Sequence, residues 1–171
     1  MTAEVLEAIH TDPKLAAGDR QKALALAESK VLPHINFTEA ARIAVGSAWQ
    51  QATPAQQQRL ALEFRRMLIR VYSSAISAYK GQTMKVLPVE LKPGDTRTTV
   101  RNQYMRPGQQ PVLVVYSMRL VSEGWKIYDV SIQGVSLALA YHSEFDAIVK
   151  KEGIDGLIKR MTEKNTPVPL N

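Results

Sequence analysis

Cysteine is absent from the sequence of 171 residues. Its absence excludes disulfide bonds, thiol catalysis and zinc–thiolate sites. It is also compatible with an oxidising compartment, because a chain without cysteine cannot form wrong disulfides there. Long apolar runs are missing as well, since no segment approaches the roughly 20 consecutive apolar residues of a membrane-spanning helix. The first residues, MTAEVLEAIHTDPK, are acidic and lack the apolar region of a signal peptide, so no export leader is predicted within them.

Catalytic and cofactor motifs are also lacking. The sequence contains no Walker loop, dinucleotide fingerprint, G-x-S-x-G elbow or EF-hand pattern. The three histidines, His10, His34 and His142, lie far apart and have no partner at a metal-ligand spacing. His142 could meet Glu144 and Asp146 in space, but we interpret these residues as the solvated start of a helix. We therefore predict no metal, no cofactor and no enzymatic activity.

Asp129 is the one carboxylate that suggests an alternative. It lies beside Tyr128 in a predicted strand and could act as a buried general base, as in cone-shaped α+β isomerases. An ion pair with Arg119 or Arg101 on a neighbouring strand is the simpler interpretation. A small-molecule enzyme of the isomerase type, using Asp129 in a hydrophobic pocket, remains the alternative function.

Composition and charge indicate a globular protein with anionic partners. Apolar residues make up 45% of the chain and charged residues 22%, which is ordinary for a soluble domain. We predict one domain over residues 1–171, with a helical N-terminal part at 1–32 and a loose tail at 164–171. The net charge of +6 favours nucleic acid, acidic protein surfaces or lipid headgroups. Because the basic residues are scattered and no aromatic-and-basic strand signature occurs, no nucleic-acid binding is predicted.

Helical signals fill the first half of the chain. Proline and capping residues predict four helices: Ala3–Ile9, a helix capped by Asp19 that ends near Leu32, a helix from Asn36 or Thr38 to about Gln51, and one from Pro54 to Lys80 that Gly81 ends. The fourth carries one broad apolar stripe, with Glu63 among the polar residues that fall outside it.

Alternating patterns replace the helical period after this point. Four strands are predicted at Met84–Leu91, Thr96–Arg106, Pro111–Val121 and Trp125–Ile132, joined by short turns that imply an antiparallel meander. A helix capped by Ser136 and ended by Gly153 follows, and Ile154–Met161 adds a further helical turn or two. We predict an α+β fold in which helices pack on one face of a curved four-stranded antiparallel sheet.

The segment GVSLALAYHSEF, residues 134–145, raises the question of a binding site. Small residues between large ones can build an interdigitated core or leave an apolar groove. The residue types alone favour core.

The motifs of residues 31–161 resemble those of one known family, both in their order along the chain and in their amino-acid sequence. The pieces that carry the likeness are LPHINF leading to GSAWQQATPAQ, WKIYDVSIQGVSL at the last strand, and GIDGLI near the end. Their combination resembles the MlaC family, periplasmic phospholipid-binding proteins also called toluene-tolerance proteins. The resemblance implies an apolar pocket between helices and sheet that holds the acyl chains of a phospholipid, with the headgroup near solvent.

The same resemblance implies a carrier rather than an enzyme. Family members ferry phospholipid between an outer-membrane lipoprotein complex and an inner-membrane ABC transporter complex, which maintains outer-membrane lipid asymmetry. We accordingly expect a periplasmic monomer whose export leader has been removed. Carried over by position, the expected pocket wall comprises Val45, Trp49, Phe64, Leu68, Val71, Tyr72, Ile76, Tyr104, Val114, Tyr116, Met118, Val135, Leu139, Tyr141 and Phe145.

Overall fold

The structure is a computed structural model that describes residues 7–8, 11–17, 19–77, 83–105 and 108–166, with backbone alone at 16, 20 and 72–77. It divides into two units, one formed by Met1–Ile35 with Tyr72–Gly134 and the other by Asn36–Val71 with Val135–Asn171. Most of the predicted helix Ala3–Ile9, the helix stop at Gly81 and tail residues 167–171 lie outside the described residues. The predicted single domain stays a prediction.

Helices occupy the N-terminal part of the first unit. Residues 7, 8 and 11 are helical, helix α1 spans Pro13–Ala16 and helix α2 spans Arg20–Lys30. Asp19 caps α2 as predicted, because its Oδ1 accepts the backbone N–H groups of Gln21 and Lys22 at 3.0 and 3.1 Å. A 3₁₀ turn at Leu32–His34 follows.

Within the residues that the structure describes, the sheet has five strands in the order in which they occur in the chain: β1 (Thr83–Val86), β2 (Arg97–Met105), β3 (Val112–Val121), β4 (Gly124–Ile132) and β5 (Val135–Ser136). Strands β1 to β4 pair antiparallel with their neighbours, and the sheet does not close into a barrel. The α+β class and the meander are confirmed.

The predicted number of four strands is wrong. Gln133 and Gly134 both have positive φ, 50° and 83°, which is the geometry of a tight two-residue turn. The chain therefore re-enters the sheet as β5 before its next helix begins. Two residues are too few to show an alternating pattern, so the sequence gives no sign of this strand. Strand β1 is also shorter than predicted and ends before Pro88, whose ring nitrogen cannot donate to a sheet.

The two faces of the sheet differ in polarity. Strand register places Val114 opposite Asn102 and Tyr116 opposite Val100, while Ser117 lies opposite Thr99. The face shared by the even-numbered residues of β3 is mostly apolar: besides Thr98 and Asn102 it carries Val100, Val112, Val114, Tyr116, Met118, Ile127 and Val130. The reverse face carries Arg97, Arg101, Arg119 and Lys126 among its residues. An apolar face of this kind must be covered to be stable.

Helices make up most of the second unit. Helix α3 spans Phe37–Val45, helix α4 begins in this unit and spans Pro54–Ser77, and helix α5 spans His142–Asn165. The amide of Glu39 donates to the Oδ1 of Asn36 at 3.0 Å, so the cap is Asn36 and not Thr38, the other start that the sequence allowed. Thr53 caps α4 reciprocally with Gln56, at 3.2 and 2.9 Å.

Helix α3 ends earlier than predicted because Gly46 leaves the helical conformation. Its φ of 69° and ψ of −138° favour glycine, and the chain continues to Gln51 as a 3₁₀ helix. A non-helical residue at Gly153, with φ 72° and ψ −178°, likewise kinks α5 where the sequence predicts an end. The helix then resumes as far as Asn165, so Lys164 and Asn165 of the predicted tail are helical.

Leu60, Phe64 and Leu157 are among the fully buried residues at the centre of the second unit. Phe64 contacts Tyr141 and Phe145 edge to face, with ring centroids 5.7 and 6.0 Å apart. Glu63 is fully buried too, although its helical position suggested otherwise.

Candidate functional site

Several predicted pocket residues form the interior of the second unit. Val45, Trp49, Phe64 and Phe145 are buried in one apolar cluster. Leu68 and Tyr141 are partly buried and pack against this cluster. These six side chains hold the helices of the unit together, whether or not any of them also reaches a ligand.

Three further predicted residues expose apolar surface. Val71, Val135 and Leu139 are 41%, 61% and 56% exposed. Ser136 accepts the backbone N–H of Leu139 at 3.0 Å, just before the 3₁₀ turn Leu139–Tyr141, and it does not cap the α-helix predicted from it, which begins at His142. Large apolar side chains that remain exposed are candidates for contact with a ligand or partner.

The predicted residues of the first unit share the apolar face of the sheet. Tyr104, Val114, Tyr116 and Met118 all lie on this face by strand register. The hydroxyls of Tyr104 and Tyr116 are 3.0 Å apart and form a hydrogen bond. The side chains of the two remaining predicted residues, Tyr72 and Ile76, lie outside the described part of the structure.

Asn102 is a residue on this face that the sequence prediction missed. It is only 1% exposed, and its Oδ1 has no hydrogen-bond partner among the residues that the structure describes. The signal was available in the alternation of β2, because Asn102 stands in phase with Val100 and Tyr104 on the apolar side. A buried polar group without a partner is rare and calls for an explanation.

Asp129 lies on the other face of the sheet. It pairs in register with Ser117, next to an irregularity between Ser117 and Met118. A general base in an apolar pocket would have to stand on the face of Val114 and Tyr116. The position of Asp129 therefore argues against the isomerase alternative.

His142, Glu144 and Asp146 each have a different partner and do not form a common site. The Nδ1 of His142 lies 3.2 Å from the backbone oxygen of Ala44, Glu144 pairs with Lys164, and Asp146 pairs with Lys150 at 2.6 Å. Across the described ranges of the chain, no group of three or more metal-binding side chains comes together. No helix within those ranges is long and apolar enough to cross a membrane.

Comparisons with known proteins agree on one class. The chain is 25% identical over 151 residues to the intermembrane phospholipid transport system binding protein MlaC of Haemophilus influenzae, covering 85% of this chain and 70% of that protein. It is 26% identical over 106 residues to the toluene tolerance protein ttg2D of Pseudomonas putida, covering 62% of this chain and 49% of that protein.

A solved structure shares the fold. The phospholipid-binding protein of Ralstonia solanacearum, in complex with a phospholipid, matches with a TM-score of 0.84 and 34% identity, over 96% of this chain and 92% of that one. The Haemophilus relative is thus named as a binding protein of phospholipid transport, and the Ralstonia protein as one that binds phospholipid. The model of the MlaC protein family matches residues 1–163, and the chain belongs to that family. The resemblance seen in the sequence is thereby confirmed.

Proposed function

We propose that this protein is a periplasmic phospholipid carrier. The observation that carries the proposal is the match, over nearly the whole chain, to a protein with a phospholipid bound. Carriage requires no covalent chemistry, and the polar-face position of Asp129 gives an enzymatic alternative no support. The whole chain acts as a single lipid-binding domain.

The acyl chains are held by contact with apolar side chains. Tyr104, Val114, Tyr116 and Met118 offer them the apolar face of the sheet, and Val71, Val135 and Leu139 offer exposed apolar surface. The remaining predicted residues either contact the acyl chains or support the residues that do: Val45, Trp49, Phe64, Leu68, Tyr72, Ile76, Tyr141 and Phe145.

Apolar contact is sufficient to retain a lipid. Each buried methylene contributes about 0.8 kcal/mol, so two acyl chains provide a large favourable term without a charged grip on the headgroup. We expect only modest discrimination among headgroups for this reason. The charged phosphate stays near solvent.

The carrier exchanges lipid, as a monomer, between an outer-membrane lipoprotein complex and an inner-membrane ABC transporter complex. This exchange maintains the lipid asymmetry of the outer membrane. The name of the Haemophilus relative, a binding protein of an intermembrane phospholipid transport system, supports the transport part of the proposal. The net charge of +6 suits docking to acidic partner surfaces or anionic membranes.

Native mass spectrometry of the purified protein tests the proposal. We expect an added mass that matches phospholipid, recovered stoichiometrically when the protein is extracted with organic solvent. The delipidated protein should regain that mass when mixed with phospholipid vesicles. A protein that is purified without lipid and takes none from vesicles would contradict the carrier function.

A further inference from the structure

Asn102 occupies the middle of the apolar sheet face. Strand register pairs it with Val114, and the next residues along the same face of β2 are Val100 and Tyr104. Both members of the Asn102–Val114 pair are buried, at 1% and 8% exposure. A carboxamide is thus enclosed among side chains that are mostly apolar.

Tyr104 and Tyr116 stand on either side of this pair. Tyr104 lies opposite Val112, so it is four positions from Tyr116 along the strands, roughly 13 Å at about 3.3 Å per residue. Their hydroxyls nevertheless meet at 3.0 Å, which requires the two rings to lean toward each other. Register places the Asn102–Val114 pair midway between the two tyrosines, so both rings lean toward the space above this pair.

The side-chain oxygen of Asn102 accepts no hydrogen bond within the described part of the chain. It has no donor there although two tyrosine hydroxyls belong to the same face of the sheet. Burying an acceptor without a partner costs free energy, and a β-branched apolar residue would suit this position in a strand better. Ligand pockets commonly combine apolar walls with a few polar groups of this kind that orient the ligand.

We propose that Asn102 accepts a hydrogen bond from an O–H or N–H group of the bound lipid. The inference rests on the proposed carrier function and adds a polar contact point to it. Entry of the lipid parts the two tyrosine hydroxyls, and the carboxamide then gains the donor that it lacks. The donor has two sources in phospholipids: the headgroup, as in phosphatidylethanolamine and phosphatidylglycerol, or the free glycerol hydroxyl of a monoacyl lipid. Phosphatidylcholine with two acyl chains offers neither.

Lipid competition tests this contact. Delipidated protein is mixed with vesicles that contain equal amounts of dioleoyl phosphatidylcholine and one competitor, and native mass spectrometry gives the ratio of the two bound lipids. Dioleoyl phosphatidylethanolamine and phosphatidylglycerol report a headgroup donor, and monooleoyl phosphatidylcholine reports a glycerol donor. In at least one of these competitions we expect the lipid that carries the donor to be bound in about two- to tenfold excess. That ratio corresponds to the free energy of one buried hydrogen bond.

The variant Asn102→Val should abolish that preference. Lipids differ in more than their donors, so the quantity that isolates Asn102 is the change in the ratio between the wild type and the variant. Thr98→Val is the matched control, because Thr98 lies on the same strand and face and loses a hydroxyl without losing the carboxamide. The control should keep the wild-type ratio.

Each remaining outcome has a defined meaning. Ratios that Asn102→Val leaves unchanged in every arm would overturn the inference while leaving the carrier function intact. Wild-type protein that binds no lipid would instead overturn the carrier function.

The lipid-free variant should unfold at the same or a higher urea concentration than the wild type, because it no longer buries an unpaired acceptor. If Asn102→Val and Asn102→Leu both fail to fold, the carboxamide is structural and the inference is wrong.

Discussion

Asn165 and Glu63 are joined by a forked hydrogen bond. The Nδ2 of Asn165 donates to the Oε2 and to the backbone oxygen of Glu63, at 2.9 Å in each case. The other carboxylate oxygen lies 3.1 Å from Arg59 and 3.0 Å from Arg66. Buried charge is tolerated only when its oxygens are paired, so Glu63 stabilises the packing of α4 against the end of α5.

Replacing Glu63 with leucine should destabilise the protein. The change removes one of the two acceptors of Asn165 and the carboxylate that both arginines contact. We expect the free energy of unfolding to fall by about 1–3 kcal/mol, measured by urea denaturation. Arg66→Met is the control, because that side chain is 53% exposed and its ion pair should contribute less than about 1 kcal/mol. Equal losses in the two variants would contradict this role for Glu63.

Gly46→Ala should destabilise the second unit through a clash with His142. An added Cβ would overlap the Cε1 of His142 and lie 2.9 Å from its Nδ1, and the φ of 69° disfavours any side chain. His142 has little freedom to move aside, because its Nδ1 is 3.2 Å from the oxygen of Ala44. We expect a loss of about 2–4 kcal/mol in the free energy of unfolding.

Gly94→Ala separates the clash from the backbone strain. Gly94 has a φ of 91°, but a Cβ there would meet no atom within 4 Å. Its replacement should cost only the strain of a left-handed residue, about 1–2 kcal/mol. Adding His142→Ala to Gly46→Ala should recover part of the loss, and a double variant no more stable than Gly46→Ala would show that the clash is not its cause.

Local chemistry explains which parts of the fold the sequence predicts. The caps at Asp19, Asn36 and Thr53 need only residues within three positions, so their spacing is sufficient evidence. The burial of Glu63 depends on Asn165, which lies 102 residues away, and no helical pattern contains that information.

The candidate site is predictable only in part for a related reason. Periodicity correctly indicates that Phe64 and Phe145 are buried, yet a core residue and a pocket wall have the same pattern. Val71 belongs to the same apolar stripe as Phe64 but is 41% exposed, because a helix face can extend beyond the elements that cover it. Asn102 was missed because a single polar residue in an alternating strand does not change the predicted face.

Stability below neutral pH should depend on Glu152. Arg160 donates to its carboxylate at 3.1 and 2.9 Å across the kink at Gly153, and this hydrogen bonding lowers the pKa of Glu152 in the folded state. A lowered pKa means that the stabilisation is fully present above the unfolded-state pKa of the carboxyl and is lost as the pH falls through the folded-state value. Glu152→Gln should therefore be less stable than the wild type at pH 7, with the difference disappearing in strong acid. Urea denaturation at a series of pH values measures this, and a difference that is constant with pH would contradict it.

Arginine at Val135 or Leu139 should reduce lipid retention without unfolding the protein. Both side chains are largely exposed, so the substitutions bury no charge in the lipid-free protein, and Tm should shift by about 2 °C or less. A bound acyl chain would have to desolvate the new guanidinium, which is unfavourable. We therefore expect the amount of phospholipid extracted per mole of protein to fall severalfold. Leu91→Arg is the matched control, because Leu91 is 52% exposed in the connection between β1 and β2 and is not a proposed pocket residue. Unchanged lipid content in folded Val135→Arg and Leu139→Arg protein would remove both residues from the binding site.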